Sequence, residues 1–421
     1  MRILWVSHVV PYPPKAGVLL RAYYLLRAVA ADHEVDLAAF VQRSLMATFY
    51  QDLEIGVADA QTNLAEFCRD VQLLPIESLA RPYGKARTAL AALAGDCYTT
   101  RFLQSAAGHR QLLDMSNAGH YDLVHFDYIG LAPYRASIDA PVATLGHHNI
   151  ESHMMLRRAD NEPNVLKRAY FRREGRRLEH YERRTVGEFA ANITCSDLDS
   201  ERLIELQPAA NCVNVPNGVD CEYFAPLGAP ERADSLVFVG TLGWYPNAAA
   251  VDFLLRDILP ALRRLRPSVT LDVIGAGAPA ALLELGAASP GATLHGFVPD
   301  IRPLIDSAAL YICPIRDGGG TKLKMLDAFA MAKCVLAHPI ACEGIDVEPG
   351  KNVSIATTAQ EFVAATIRLL ENRPERRAIG DAARSLVESR YTFAAIGQEL
   401  SNTFVSLARN PADLRDRSWR A

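Results

Sequence analysis

Several features that would class a chain at once are missing from these 421 residues. No apolar run approaches the roughly 18 to 20 residues needed to cross a bilayer, so no membrane-spanning helix is expected. Basic residues do not dominate: 44 Lys and Arg face 48 Asp and Glu, a formal net charge of −4. That balance gives no global attraction to nucleic acid and leaves any anion site to local residues. The eight cysteines (68, 97, 195, 212, 221, 313, 334 and 342) form no CxxC pair and show no ligand-like spacing. Cys313 and Cys334 lie in the apolar runs "ALYICPI" and "AKCVLAH", which fits buried reduced thiols of a cytoplasmic protein and not a structural zinc site. The first apolar run, "ILWVSHVVPYPP", contains His8, ends in prolines and has no small-residue cleavage site. It reads as a buried strand and not as a signal peptide.

Two phosphate-binding signatures are missing as well. After the first apolar run, "SHVVPYPPKAGVLLRAYYLL" offers the single Gly17 in place of G-x-G-x-x-G. Gly17 is either part of a plain turn or the opening of a helix whose N–H groups face an anion. In "GGGTKLK" the lysine follows Thr321, so the Gly-Lys-Ser/Thr order of a P-loop is absent.

What is present is alternation. Half of the residues are hydrophobic and 22% are charged, a globular composition, and the length exceeds one ordinary core. Short apolar runs ("RILWVS", "EVDLAAF", "DVQLLPI", "YDLVHFD", "PVATLG") are separated by helical stretches, including a long one over 151–188. A stretch rich in Pro, Gly and Asp, "VPNGVDCEYFAPLGAPERADS", interrupts the pattern, which restarts with "LVFVG", "VTLDVIG", "ATLHG", "ALYICPI" and "KCVLAHP". Two doubly wound α/β domains are expected, over 1–210 and 217–390, with 391–421 a C-terminal helix and tail that packs back on the first. Ligands of such sheets lie outside the carboxyl ends of the strands.

The stretch "RDGGGTKLKMLDAFAMAKC" (316–334) places a glycine loop and two lysines before a helix. Thr321 is expected to cap that helix, leaving first-turn N–H groups pointing into the loop. Lys322 and Lys324 suit a diphosphate, with Arg316 a weaker candidate. Asp327 is placed to accept hydrogen bonds from two vicinal hydroxyls such as those of a ribose. The alternative is a solvated cap with a surface carboxylate. His147 and His148 follow the strand "PVATLG" directly, and Asp127 and Glu151 are further candidates nearby. In "SDLDSE" (196–201) the D-x-D spacing is accounted for by Ser196 as an N-cap with acids in the first turn, so no metal is expected. Residues 157–184 carry ten Lys or Arg against five acids. Such a stretch is either a solvated face laced with i,i+4 pairs or a contact with the inner face of a membrane.

The segments "HNIES", "VPNGVDCEYF", "FVGTLGWYPNAAAVDFLL", "LHGFVPDIRPLIDSAALYICPI" and "GGGTKLKMLDAFAMAKCVLAHPIACEGID" resemble the retaining glycosyltransferases of family 4. The resemblance covers the second domain strongly and the first more loosely. It implies the GT-B fold, two Rossmann-like domains facing a central cleft, with a nucleoside diphosphate sugar held mainly by the second and a saccharide or lipid-linked acceptor by the first. It implies retention of configuration without metal or other cofactor, and a role in cell-surface polysaccharide or glycan synthesis. The paired acidic positions of that family fall on Gly319 and Asp327, as in a glycine-rich branch that resembles exopolysaccharide enzymes. The family's phosphate-binding Arg and Lys are replaced in this chain by Thr241 and Asn247. Donor contacts are thereby expected from Gly17, Gly240, Phe297, Gly319, Gly320, Thr321, Lys322, Lys324 and Asp327. By the same resemblance His148, and after it His147, positions the reacting groups. Rival readings are a sugar-nucleotide epimerase, which needs acid–base carboxylates, and a non-catalytic nucleotide-sugar binder.

Overall fold

The computed structural model describes residues 1–15, 17–76, 97–318 and 320–409. The chain divides into two compact units, Met1–Pro216 with the segment that begins at Phe393, and Asn217–Thr392.

In the first unit seven strands form one parallel sheet in the order β3-β2-β1-β4-β5-β6-β7. They are β1 (Arg2–Ser7), β2 (Glu34–Val41), β3 (Asp70–Pro75), β4 (Leu123–Phe126), β5 (Val142–Gly146), β6 (Ala191–Thr194) and β7 (Cys212–Asn214). Consecutive apolar residues serve both faces, so Ile3, Leu4, Trp5 and Val6 are all fully buried. Because all strands run one way, the turns after Ser7, Phe126 and Gly146 open at a single edge. The order reverses between β1 and β4, the place where such sheets leave room for ligands.

Helix α1 (Gly17–Asp32) follows β1 and buries Leu19, Ala22, Leu25, Leu26 and Val29 at helical spacing. Its buried Arg21 donates to the carbonyls of Val215 and Pro216, each at 2.8 Å, tying down the last residues of the segment. The helix Phe393–Arg409 packs on α1. Tyr24 stacks on Phe393 with ring centroids 4.3 Å apart, and Gly397 lies so close to Ala28 that a Cβ would collide.

The stretch expected as one helix over 151–188 is two helices. After α2 (Tyr98–Leu103), α3 (Glu151–Asn161) ends before Pro163, and α4 (Val165–Thr185) begins after Asn164 caps it by accepting from Leu166 and Lys167 N–H groups. Proline lacks the N–H and disfavours a helical residue before it, so the chain turns there. The two helices pack antiparallel, with Gly175 against Leu156 and the Arg158 guanidinium 4.1 Å from the Phe171 ring.

In the second unit six parallel strands run in the order β10-β9-β8-β11-β12-β13. They are β8 (Arg232–Val239), β9 (Thr270–Ile274), β10 (Ala292–Gly296), β11 (Ala308–Cys313), β12 (Val335–Ala337) and the short β13 (Ser354–Ile355). Helix α5 (Tyr245–Phe253) continues through a π turn, Leu254–Ile258, into Leu259–Leu265. Pro260 cannot donate its i→i−4 bond, which accounts for the irregular turn. Helix α6 (Leu323–Ala330) packs Met325, Leu326, Ala328 and Phe329 inward. Among the described residues no helix is long and apolar enough to cross a membrane.

Candidate active site

In the second unit the turns after β8, β9 and β11 close on one another at the carboxyl edge of the sheet. Gly275, at φ +157°, would bring a Cβ to 1.9 Å from the Gly240 carbonyl oxygen, so these turns meet backbone to backbone. Only glycine serves there. Gly240 N–H donates to Ile274 and Leu242 N–H to Ala276, at 2.8 and 2.7 Å, which fixes the floor.

Lys324 reaches over this floor from the first turn of α6. Its Nζ donates to Asn247 Oδ1 at 2.5 Å and would stand 2.5 Å from a Cβ on Gly240. Asn247 is buried, and its Nδ2 donates to the Thr241 carbonyl at 2.8 Å. The lysine is thus held by a neutral amide, and no salt bridge among the described residues neutralises it. Burial pulls Lys324 down to about 8; Lys322 acts in the same direction, while Cys313 and Asp327 oppose it. At neutral pH it remains a cation.

Lys322 is placed differently. Its Nζ donates to the carbonyls of Gly318 (3.2 Å) and Gly320 (2.8 Å) and lies 3.9 Å from Glu343 Oε2. It ties the glycine loop together, and the cation at the β8 turn is Lys324. The cap expectation is corrected: α6 begins at Leu323, so Lys322 and not Thr321 holds the N-cap position, and no side chain caps the helix. Gly320, at φ +63°, turns the chain, and Lys322 is still extended, which leaves Thr321 one residue too early. Gly319 lies outside the described residues. Arg316 stacks over the Phe253 ring at 3.9 Å.

Asp327 sits one turn beyond Lys324 and is half-buried. Its carboxyl has no hydrogen-bond partner among the described residues. Burial raises it to about 7, with Lys324 opposing. Close by, burial raises the Tyr311 hydroxyl well above its ordinary value, and the charges of Cys313 and Asp327 add to this. Phe297, in the turn after β10, is 64% exposed, and Trp244, before α5, is 45% exposed.

The edge of the first unit collects imidazoles. Asp127 follows β4, His148 follows β5 and His8 follows β1. His148 Nε2 bonds the Asp127 carbonyl oxygen at 2.9 Å and lies 3.4 Å from Asp127 Oδ1. His125 Nε2 is 3.7 Å from the same oxygen. Burial alone would raise Asp127, but the His148 and His125 rings outweigh it and hold the carboxyl well below the usual range. Its second oxygen, Oδ2, is buried with no hydrogen-bond partner among the described residues. His8 stacks on Tyr128 at 4.4 Å, with the His148 ring 5.3 Å away. Burial first, and then His148, push His8 down to about 3, so it is neutral. His8, Asp127 and His148 bring three ligand-type atoms within 4.8 Å of one another, a spacing that a divalent ion can use.

His147 is set apart from this cluster. It is buried and pairs with Asn192 Oδ1 at 3.0 Å, and burial lowers it to about 4. Its Nδ1 is buried with no hydrogen-bond partner among the described residues, so only one side of the ring is satisfied. Gly17 is exposed at the start of α1. Ser196 Oγ accepts from Asp199 N–H at 3.1 Å, and Asp199 pairs with Arg202, so "SDLDSE" is a capped helix start. Glu151 is buried near Glu182, whose carboxylate accepts from Ser152 N–H and Oγ at the start of α3. Burial raises Glu151 to about 8 and Glu182 to about 7, and the charge of Glu182 adds to the rise at Glu151.

Residues 233–372 match the family model described as "Glycosyl transferases group 1". The match runs from β8 through both glycine turns and α6, so Lys324, Asp327 and Asn247 all fall inside it. Along nearly its whole length the chain is also similar to an uncharacterized 44.6 kDa protein in the cps region of Klebsiella pneumoniae. The two are 21% identical over 408 residues, or 93% of this chain and 96% of that protein. Among solved structures, sucrose-phosphate synthase from Thermosynechococcus elongatus has a TM-score of 0.71 at 13% identity, covering 97% of this chain and 99% of that one. HepE from Anabaena, solved with UDP-glucose, has a TM-score of 0.65 at 15% identity, covering 97% and 100%. The architecture of two Rossmann-like parallel sheets is that of GT-B glycosyltransferases.

Sequence reasoning missed two residues of these edges. By sequence Asn247 is only a replacement for a lost cation, yet in the fold it holds Lys324. A lone amide at the start of the apolar helix "NAAAVDFLL" was the available signal. By sequence His8 argues only against a signal peptide, yet it follows the first strand at its carboxyl end.

Proposed function

We propose that the protein is a glycosyltransferase that moves a hexose-type unit from a nucleoside diphosphate sugar to a saccharide or lipid-linked acceptor. One observation carries the reading: Lys324, an un-neutralised cation, stands over the Gly240–Gly275 floor with the unpartnered carboxyl of Asp327 one turn behind it. A diphosphate on Lys324 and the first-turn N–H groups of α6 would gain the helix dipole as well as the ammonium charge. The ribose hydroxyls would donate to Asp327, with Phe297 completing the donor side. Developing charge on the leaving diphosphate would then be met by groups already in place, which is the larger part of such catalysis. Departure with retention of configuration and without a metal is the reading that fits this donor set. In the first unit His148, oriented by Asp127, positions the reacting groups, and Gly17 is assigned an anion-facing helix start. The similarity to a protein of the cps region and to HepE supports a place in surface polysaccharide synthesis and a UDP-sugar as the first donor to try.

A thermal-shift screen of UDP, GDP and ADP sugars tests the proposal. A ligand at 100 times its Kd should stabilise the protein by about 2.7 kcal/mol. Turnover with the donor so found should survive dialysis against EDTA. If no nucleoside diphosphate sugar shifts the transition, the reading is wrong. If activity is lost to EDTA and restored by a divalent ion, the His8, Asp127 and His148 trio is a metal centre.

A further inference from the structure

Outside both strand edges, α2 and α4 enclose a groove of about 1120 Å³ in the first unit. Seven arginines line it, and none of its described lining residues is acidic. Two acids of the same stretch act on lining arginines, Glu174 on Arg177 and Arg173 and Asp160 on Arg172, and the others are turned to other tasks. Glu174 is buried and accepts from Tyr98 N–H at 2.5 Å, Glu182 serves Ser152, and Glu179 pairs with Arg183 outside the groove. Asp160 pairs with Arg172 at 2.8 Å and is the exposed exception. Glu179–Arg183 is an i,i+4 pair outside the groove, while Arg176 and Arg184 make no ion pair among the described residues. Along α4 the lining residues recur at four-residue steps, Arg168, Arg172, Arg176, His180 and Arg184, four of them arginines, over about 24 Å of helix. Arg101 adds charge from the opposite wall.

We infer that this groove holds a linear acidic saccharide chain, its carboxylates paired with successive guanidiniums. Guanidinium forks match carboxylate geometry in two parallel bonds. The uncharged lining groups favour a sugar over other polyanions. Gln104 brings an uncharged amide to the lining, and the Tyr181 ring with the arginine stems gives apolar surface for ring faces. A bilayer is flat and would meet the rim of a groove, not its floor. A single-stranded nucleic acid asks for successive stacking rings, and Tyr181 is the one aromatic residue among the described lining. The inference does not depend on the donor site, since binding needs no nucleotide.

The test uses the full chain and a fluorescently labelled oligogalacturonate, read by anisotropy without nucleotide. Wild type should bind it, more weakly as salt rises, and should ignore an uncharged oligosaccharide of the same length. Arg176→Gln and Arg184→Gln should each weaken binding about tenfold. Arg176→Lys should recover part of the loss, because charge returns without the fork. Arg373→Gln, in the other unit, should change nothing. The inference is overturned if the groove variants bind as wild type does. It is equally overturned if vesicles containing phosphatidylglycerol, or a single-stranded oligonucleotide, bind through the same arginines more tightly than the oligogalacturonate.

Discussion

The two strand edges end in opposite kinds of chemistry. In the second unit, Lys324 is held by the neutral Asn247 amide and Asp327 has no hydrogen-bond partner among the described residues, so charge is presented without being spent. In the first unit Asp127 is flanked by His148 and His125, and the polar groups face one another. A surface that leaves its charges unmatched is built to complete itself with a ligand. A carboxylate enclosed by imidazoles is built to hold a side chain at a fixed angle. On the proposed function the difference separates a binding edge from a positioning edge, and mutations in the two should fail in different ways.

The largest effect should come from the positioning edge. His148→Ala removes the one imidazole of the group that is both oriented by Asp127 and partly open. Turnover should fall by about 10² or more, as for loss of one oriented polar group at a reacting centre, while donor Kd stays within about twofold. His147→Ala should leave kcat nearly unchanged and instead lower stability, because Asn192 loses its partner. If both variants lose binding and turnover in parallel, the contrast between the edges is false.

Next in size is Lys324→Ala. Loss of a charged hydrogen-bond partner costs about 1.5 to 3 kcal/mol, or roughly ten- to a hundredfold in affinity for a nucleoside diphosphate. Plain nucleoside should bind as before, and the residual diphosphate affinity should depend less on salt. Lys322→Ala should instead loosen the glycine loop, with a smaller loss. Titration calorimetry at two salt concentrations separates these outcomes, and an unchanged salt slope in Lys324→Ala would sink the phosphate assignment.

Asp327 should give a smaller and pH-dependent effect. Asp327→Ala is expected to weaken nucleoside and diphosphate by similar factors, near tenfold. The carboxylate is the form that accepts from hydroxyls, and burial places its titration near 7. Nucleoside affinity of the wild type should therefore rise between pH 6 and pH 8 and be flat in the variant. Diphosphate affinity should fall again above about 8, where Lys324 begins to lose its proton. A flat nucleoside profile in the wild type would remove Asp327 from the site.

How much of this was legible in the sequence follows the physics of each signal. Consecutive buried residues such as "ILWV" and "ALYIC" have one economical use, a strand covered on both faces, and both sheets were readable from them. The break at Pro163 was in the sequence too, but the arginine pattern on either side has one period and masked it. Helix start points were less legible: Thr321 is a good cap by type, yet the turn at Gly320 moves the start one residue on. The division of labour between Lys322 and Lys324 was not legible at all. It depends on Gly318 and Gly320 carbonyls and on Asn247, 77 residues away from Lys324.

The smallest expected effect lies behind the positioning edge, at Glu151 and Glu182. An unfolded glutamate titrates near 4.3, whereas burial, and then the Glu182 charge, lift Glu151 to about 8. Between those values the folded protein keeps a proton that the unfolded chain has released. Stability must then fall as pH rises from about 4.5 to about 8 and level off above. Glu151→Gln removes this dependence, because the amide does not ionise and needs no desolvated charge. Its melting temperature should match the wild type near pH 5 and exceed it at pH 8.5, by roughly 2–4 °C for each kcal/mol regained. Glu182→Gln should gain less. Glu182 uses both oxygens to accept from Ser152 N–H and Oγ, and an amide nitrogen cannot accept. Differential scanning fluorimetry at the two pH values decides it. A gap between Glu151→Gln and wild type that is the same at pH 5 and pH 8.5 would mean that Glu151 is ionised in the folded protein. The first unit would then hold a second charged buried carboxylate besides Asp127, and its contrast with the other edge would shrink accordingly.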